Sequence, residues 1–568
     1  MKTTAQKLEI PTENDPSFRW AVVAFLVLAE LMLYTPSLVH GLVADDFTSG
    51  EFPSRPLSSF WSAPSDLQGH WRPLSYSVKH VLFSLFAETP FPWHAINLLI
   101  HLISVLVFFQ ILEKVSPSEG KHGLIGPLIA TVMFQAHPAA VQNVYWASGL
   151  SDLLCMLFLL LATLCSVAPN ENRKTRLMLL TPVLFSMALL SKESAIVFPV
   201  FLAFLLRLMI GSWQPVLKLH GRMLGVLTFL SILFGAIFIA VSGQLLLQSG
   251  LLAGAVGIFA RGFGMLVIPT DAMRIYQLGA ETPLAAAGLG ALMVFILILM
   301  LRKGLLNKEL IVLFTLALLA SFVVYVVGRY ISLRLMYGSV GFFIVAMFIV
   351  LTRRPWWTGP DVMTRVLRWG VILYGLSVLF FSFSAVLDWH VADKFAKAIR
   401  GAFVDFHLAA QEKQYVFGAI PSRLRQAEIV GEAATDFRGE LRKDEIPDSV
   451  DLRSLLRIVL LDRDDVSSNV LIIRNTVNSL ILSTQTENQY FLIGDLDFPN
   501  TLPVGTRIEE GGFAIEVLHT ILDDRAVTVK VTAKDPADLD RLLFFDDQER
   551  QFVPLQEIEP VSEDETNE

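Results

Sequence analysis

The chain has 568 residues, 53% hydrophobic and only 17% charged, with a mean hydropathy of +0.55 and a formal net charge of −8. A soluble protein carries about a quarter charged residues, and the deficit here lies in long apolar runs, of which about 20 residues cross a bilayer core. The composition excludes a soluble globular enzyme and predicts a polytopic α-helical membrane protein. The charge is also split along the chain. From Trp389 onward there are 34 acids against 19 bases, and before it 19 acids against 26 bases. An acidic C-terminal region speaks against nucleic acid as a partner and against adhesion to anionic headgroups.

Residues 1–17 form a polar tail. The first apolar run, Phe18 to Leu42, is followed by no small-residue cleavage site, so it reads as a retained helix. A long polar loop, residues 43–92, comes next. It carries Ala44-Asp45-Asp46-Phe47 and Trp71-Arg72-Pro73-Leu74. Further apolar segments fall at Trp93 to Leu112, Leu124 to Phe134, Asp152 to Val167, Leu177 to Leu190, Ala195 to Ile210, Met223 to Val241, Pro283 to Leu301, Leu310 to Val327, Tyr337 to Leu351 and Trp369 to Leu387. Together they give about eleven spans for residues 18–388. Leu251 to Ile268 is a weaker candidate, because Arg261 and several glycines interrupt it. Cys155 and Cys165 lie in one segment, too far apart on one helix for a disulfide, and no metal-binding Cys pattern exists.

Orientation follows from Lys and Arg in the short connections. Lys114 and Lys121, Arg173 to Arg176, Lys218 and Arg222, Arg302 to Lys308, and Arg353 to Arg368 fall in alternate loops if Leu251 to Ile268 does not cross. Those loops and the N-terminus are then cytoplasmic. The 43–92 loop and the C-terminal region face outward, as in a bacterial inner membrane with a periplasmic domain. Arg55, Arg72, Lys79, Lys192, Arg261, Arg274, Arg329 and Arg334 sit on the side where this bias disfavours cations. They suit a bound anion such as phosphate, or they snorkel or pair with a neighbour such as Glu193.

Past Leu387 the pattern changes to a helical connector over residues 389–414 and a soluble α/β or β-rich domain over residues 415–556. Its β-type runs are Val470 to Ile473, Leu480 to Leu482, Tyr490 to Ile493, Phe513 to Val517 and Val527 to Val531, with Asp523-Asp524-Arg525 as a hairpin turn. Residues 557–568 form an acidic stretch with a disordered composition.

Ionisable groups clustered at the mouth of a membrane protein are functional-site candidates, since they cost solvation energy unless paired or used. Asp45 and Asp46 can accept a proton, bind a divalent cation or cap a helix. His94, Asn97 and His101 share one helical face, where interhelical hydrogen bonding is favoured over a metal site that lacks a third ligand. In the next outward loop, Pro138 follows His137 at a helix end, and Asp152 is equally a helix cap or a catalytic group. Lys192 and Glu193 make a charged pair between two helices, either structural or with Lys192 holding a phosphate that Glu193 orients. Arg329 and Arg334 flank further helix ends.

In this order the motifs resemble the GT-C class of membrane glycosyltransferases. They look like those of bacterial relatives of the transmembrane and tetratricopeptide-repeat O-mannosyltransferases. The likeness rests on Asp45-Asp46, Arg72-Pro73-Leu74, the stretch from His94 through Asn97 to His101, Ala136-His137-Pro138, Ser151-Asp152-Leu153-Leu154 and Lys192-Glu193. It is thin after Val241, and the tetratricopeptide repeats are missing. The resemblance implies a polyprenyl-phosphate-linked sugar as donor, a protein or glycan hydroxyl as acceptor and transfer at the extracytoplasmic face with inversion. It implies an aspartate of the first loop, Asp45 or Asp46, as base. Arg72, Lys192, Arg329 and Arg334 would receive the departing phosphate, and His94, Asn97, His101, His137, Asp152 and Glu193 would support the site. A transporter or flippase reading needs an internal repeat, which is not found, and mid-membrane polar residues, of which Glu30 is the clearest. A non-catalytic scaffold is the third reading.

Overall fold

The computed structural model describes residues 16–43, 56–62, 71–87, 89–116, 124–167, 171–242, 265, 268–270, 333–352 and 362–409, and, in the C-terminal region, residues 503–510 and 534–535 together with the strands named below. Asp45, Asp46, Arg55, Arg261, Arg274 and Arg329 lie outside these. So do Pro283 to Leu301, Leu310 to Val327, most of Leu251 to Ile268 and the acidic stretch 557–568. The chain divides into two compact units, Met1–Val39 with Pro53–Leu85 and Phe91–Phe383, and His40–Phe52 with Phe86–Pro90 and Ser384–Glu568.

The first unit is helical. Its elements are α1 (Pro16–Tyr34), α2 (Pro73–Phe86), α3 (Pro90–Val115), α4 (Ile125–Gln135), α5 (Pro138–Tyr145), α6 (Leu150–Ser166), α7 (Glu171–Ser191), α8 (Phe198–Ile210), α9 (Trp213–Ser242), α10 (Tyr337–Thr352) and the start of α11 (Val362–Ala409). Helix ends follow local chemistry. Pro138 supplies the first residue of α5 behind the His137 cap, and Gly211 closes α8 at φ 92°, in the left-handed region that favours glycine. Among the described residues, six stretches are long and apolar enough to cross a membrane: Ser17–Val39, Pro90–Val115, Ala147–Ser166, Glu193–Ile210, Trp213–Val241 and Trp369–Lys394. Ile125–Gln135, Leu179–Ser191 and Leu333–Ile349 are shorter apolar helices. The chain is thus a multi-pass membrane protein.

Hydroxyls inside these helices find partners on their own helix. Ser104 donates to the Ile100 carbonyl at 2.9 Å, Thr131 to Pro127 at 2.7 Å and Thr163 to Leu159 at 2.8 Å. Lipid offers no alternative partner, so this back-bonding is what makes them tolerable there. The core is aromatic. Phe108 stacks on Phe134 with ring centroids 4.3 Å apart, and Phe134 on Tyr337 at 5.5 Å. Gly341 of α10 allows this approach, because a methyl group there would run into the end of Met156 and the Phe134 ring.

The long helix α11 has 48 residues and continues as one helix from the membrane-type segment to Ala409, where a separate connector is expected over 389–414. In the second unit Asp393 of α11 accepts the Gly41 amide at 2.7 Å and pairs with Lys397 at 2.7 Å. The strands are β1 (Val416–Pro421), β2 (Arg423–Leu424), β3 (Ala427–Glu428), β4 (Arg457–Leu461), β5 (Val470–Thr476), β6 (Ser479–Thr484), β7 (Tyr490–Ile493), β8 (Arg507–Glu510), β9 (Phe513–Ile521), β10 (Arg525–Ala533), β11 (Leu542–Asp546) and β12 (Gln551–Pro554). Two five-stranded sheets result, β12-β11-β1-β4-β7, mixed, and β5-β6-β10-β9-β8, antiparallel. Along β10, Val529, Val531 and Ala533 are buried, the two-residue period of a sheet with one face covered. Arg525 pairs with Ile521, so β9 and β10 are antiparallel neighbours around the expected hairpin turn.

Candidate functional site

Four charged side chains from three places in the sequence meet in the first unit. Arg72 stands immediately before α2, Asp152 in the first turn of α6, and Lys192 and Glu193 in the turn between α7 and α8. Arg72 grips Glu193 with both arms of its fork, Nε donating to Oε2 at 2.8 Å and Nη2 to Oε1 at 2.5 Å. Lys192 donates to Asp152 Oδ2 at 2.5 Å. Ser75 ties α2 down by donating to the Ser191 carbonyl at 3.1 Å. Adjacent in sequence, Lys192 and Glu193 thus take different partners, and Glu193 orients a guanidinium.

The two pairs are close enough to act on one another. Burial alone would lower the Arg72 pKa, but Glu193 beside it more than offsets this and holds it above the usual arginine range. For Lys192 burial dominates, and Arg72 adds to it, so its pKa falls below the usual lysine value although Asp152 opposes the shift. Asp152 does not cap α6. Gly149 occupies the cap position without a side-chain bond, and the Asp152 carboxylate turns to Lys192. Beside it opens a crevice of about 30 Å³, its lining including Asp152, Cys155, Ser194, Phe198, Leu335 and Phe342. That volume accommodates about one or two waters.

Arg334 lies apart from the quartet's ion pairs. Its guanidinium carbon sits 3.8 Å over the Trp146 ring, and its carbonyl accepts from Asn143 at 2.9 Å. Asn97 joins the same assembly, donating to the Trp146 carbonyl at 2.8 Å at the end of α5. There Gly149 is obligatory, because a methyl group would strike the backbone of Asn143. Lys79 is buried, with Ser148 Oγ at 3.4 Å. His94 is buried on α3. His137 serves α5 rather than the quartet, its Nδ1 accepting from the Ala139 amide at 3.1 Å. Its burial pulls its pKa down to about 3.

His101 belongs to a second, sealed cluster. Its Nδ1 lies 2.6 Å from Glu30 Oε1, and both side chains are fully buried. Gln135 donates to Glu30 Oε2 at 2.8 Å and to the Leu26 carbonyl at 2.8 Å, while Tyr34 donates to the Gln135 carbonyl at 2.6 Å. Glu30, the mid-span acid, therefore has local partners on α3 and α4. Gln135 belongs to the stretch before His137-Pro138 that the sequence singles out, whereas Tyr34 carries no sequence signal of its own. Among the described residues no group of three His, Cys, Asp or Glu side chains could hold a metal ion.

No family profile matches the chain. Protein O-mannosyl-transferase Tmtc1 of Drosophila melanogaster is 31% identical over 178 residues, 29% of this chain and 20% of the relative. Protein O-mannosyl-transferase TMTC3 of Homo sapiens is 27% identical over 179 residues, 29% of this chain and 19% of the relative. The chain thus spans about a fifth of the length of these curated relatives. Among solved structures, ArnT from Cupriavidus metallidurans bound to undecaprenyl phosphate is similar with a TM-score of 0.38 and 12% identity, covering 78% of this chain and 93% of that one. The sequence resemblance is therefore to the protein O-mannosyl-transferases, over a segment of the chain.

Proposed function

We propose that this protein is an integral-membrane glycosyltransferase that moves a sugar from a polyprenyl-phosphate donor to a hydroxyl of a protein or envelope glycan, at the extracytoplasmic face of a bacterial inner membrane. The observation that carries the reading is the quartet Arg72, Glu193, Lys192 and Asp152, two of its members buried and two partly exposed. It concentrates two cations among the ends of apolar helices, in a chain that shares sequence with O-mannosyl-transferases.

In the proposed reaction Asp45 or Asp46 takes the proton of the acceptor hydroxyl, whose oxygen attacks the anomeric carbon from the face opposite the phosphate. The bond from that carbon to the phosphate oxygen breaks, and polyprenyl phosphate leaves with the electron pair. Inversion follows from the single displacement. Arg72 and Lys192 face the developing phosphate charge, where preorganised donors contribute most. Glu193 fixes the plane of the Arg72 fork, which a bidentate hold on phosphate needs. Arg334, braced on Trp146, and Arg329 complete the proposed cation set.

The test is sugar transfer in a strain lacking the protein, complemented with wild type, Asp45→Asn, Asp46→Asn or Asp152→Asn at equal membrane levels. Loss of a general base lowers turnover by about 10²–10⁴-fold. One first-loop variant should show that loss. If all three variants transfer sugar like wild type, the reading fails.

A further inference from the structure

Beyond Ser384, helix α11 turns one face inward at a regular helical spacing. Ala385, Asp388, Trp389, Ala392 and Asp393 are buried, while Leu387, His390, Val391 and Lys394 are exposed. A carboxylate on such a face costs solvation energy unless it is held. Both oxygens of Asp393 are engaged: Oδ1 accepts the Gly41 amide at 2.7 Å, and Oδ2 accepts from Lys397 Nζ at 2.7 Å. The two partners are unequal. Lys397 is one turn along the same helix and its side chain is 53% exposed, so water screens that pair. The Gly41 amide is a backbone group that arrives from 352 residues earlier in the chain.

Gly41 belongs to a strap, residues 40–43, that follows the short helix Thr35–Val39 and has no regular secondary structure of its own. An irregular segment ordinarily runs exposed over a surface. This one is buried: His40, Leu42 and Val43 are each 5% exposed or less, and the His40 ring centroid lies 5.8 Å from that of His390 on α11. Asp45 stands two residues beyond Val43. A chain reaches at most about 3.6 Å per residue, which keeps the Cα of Asp45 within about 7 Å of that of Val43. We propose that Asp393 is a positioning residue for the first-loop base: its hold on Gly41 fixes the point from which the chain presents Asp45 and Asp46.

The inference rests on the proposed reaction, in which one of those aspartates takes the acceptor proton, and adds to it a residue that acts through the backbone. The Gly41 bond ends on a carboxylate, which makes it charge-assisted and of the stronger class. It holds one peptide group just ahead of the base, so its loss frees the approach to the base first. Displacing a catalytic group by about 1 Å can lower turnover about 10²-fold. Donor affinity depends on cations of other elements and should not change. The bond rather than the charge is the anchor: Asp393→Asn keeps an oxygen for the Gly41 amide and gives up only the pairing with Lys397.

The test uses the full-length chain in lipid nanodiscs as wild type, Asp393→Leu, Asp393→Asn and Gly41→Pro, the last removing the donor while leaving Asp393 in place. Hydrogen–deuterium exchange reads the anchor without any assay of transfer. The amides remaining in residues 40–43 should exchange about tenfold faster in Asp393→Leu and Gly41→Pro and near the wild-type rate in Asp393→Asn, with α3 and α6 unchanged throughout. In the complemented strain at equal membrane levels, sugar transfer should fall by about 10–10²-fold in Asp393→Leu and Gly41→Pro and stay near wild type in Asp393→Asn. Binding of undecaprenyl phosphate to the nanodiscs should keep its wild-type affinity in all three. Unchanged exchange over residues 40–43 in both Asp393→Leu and Gly41→Pro would show that the bond does not hold the strap and overturn the proposal. Faster exchange with transfer at the wild-type rate would show that the strap does not place the base, and overturn it too. So would a loss of transfer that runs with lost undecaprenyl-phosphate affinity, or one as deep in Asp393→Asn. Two variants break the bond from opposite sides, so if one misfolds, seen as faster exchange in α3 and α6, the other decides. Failure of the proposed reaction shows separately, as full transfer in both Asp45→Asn and Asp46→Asn whatever the exchange result.

Discussion

The quartet of Arg72, Glu193, Lys192 and Asp152 and the cluster of Glu30, His101, Gln135 and Tyr34 are both polar islands in an apolar helical unit, yet they are built differently. In the second, Glu30 and His101 are fully buried, and the other bonds end on an amide or on backbone carbonyls. In the first, side-chain exposure reaches 17% at Arg72 and 12% at Asp152, and two cations face two carboxylates next to a crevice. A fully buried set can hold helices together, and here His101 Nε2 and Gln135 Oε1 have no hydrogen-bond partner among the described residues. Charged groups held apart from water yet open at one edge can exchange partners with a ligand. Under the proposed function, the difference would give the Glu30 cluster a structural role and the quartet the chemistry.

The largest expected effect comes from removing one whole pair at the quartet. Arg72→Leu with Glu193→Leu removes both members of the pair rather than stranding one, and transfer is read at equal membrane levels. Transfer should fall by about 10²–10³-fold, the loss typical of a deleted electrostatic stabiliser. Arg72→Lys should lose most of the activity too, since a point charge cannot reproduce the two-armed hold. Activity near wild type in the double variant would make the quartet structural and erase the distinction.

The same operation on the sealed cluster should do the reverse. Glu30→Leu alone strands His101 and should lower stability by about 3–5 kcal/mol, the cost of breaking a buried pair by deleting one member. Glu30→Leu with His101→Phe should recover much of that loss, because two apolar groups pack where two hydrogen-bonded polar groups stood. Thermal unfolding in detergent reads both. Transfer per folded molecule should stay near wild type in the double variant, and a loss there as deep as at Arg72 would move His101 into the chemistry.

Much of this architecture was legible in the sequence because membrane helices announce themselves by length and apolarity. Trp93 to Leu112, Asp152 to Val167 and Ala195 to Ile210 fall within a few residues of α3, α6 and α8. The strands from Val470 to Val531 were legible for a similar reason, their β-branched runs. Arg72, Asp152, Lys192 and Glu193 could be named individually, but not paired, since Arg72 and Glu193 stand 121 residues apart. Sequence adjacency suggests a Lys192–Glu193 couple, and the extended backbone of Lys192 separates them instead. Helix α2 escaped notice because its apolar residues alternate with Ser75, Ser77, Lys79 and His80, which lowers the mean hydropathy below that of a span. The parallel pairing of β1 with β11 joins residues more than a hundred positions apart, which local pattern does not reveal.

A smaller effect follows from His137, between α4 and α5. Its folded-state pKa of about 3 lies below the ordinary histidine value of about 6.5, because burial disfavours the imidazolium. The unfolded chain therefore binds the extra proton first as pH falls. Stability from this residue is complete above about pH 6.5 and declines as pH drops toward 3, by at most about 1.4 kcal/mol per pH unit. His137→Asn keeps a side-chain acceptor for the Ala139 amide and removes the titration. Melting temperatures taken from pH 7 down to pH 5 should therefore fall less in His137→Asn than in wild type, and parallel curves would show that His137 carries no such linkage.

The smallest effect is expected at Arg19 and Glu113, and it bears on the comparison more than its size suggests. Arg19 holds Glu113 with the same fork that Arg72 uses on Glu193, Nε to Oε1 at 3.1 Å and Nη2 to Oε2 at 3.0 Å. The arginine side chain is 55% exposed, against 17% for Arg72. Water and salt screen such a pair, so Arg19→Ala should cost no more than about 1 kcal/mol and leave transfer unchanged. Identical geometry with a different outcome would show that burial beside Lys192 and Asp152, rather than the fork itself, makes Arg72 special. If Arg19→Ala matched the Arg72 variants in lost transfer, the argument from burial would fail, and these ion pairs would have to be ranked by position along the membrane instead.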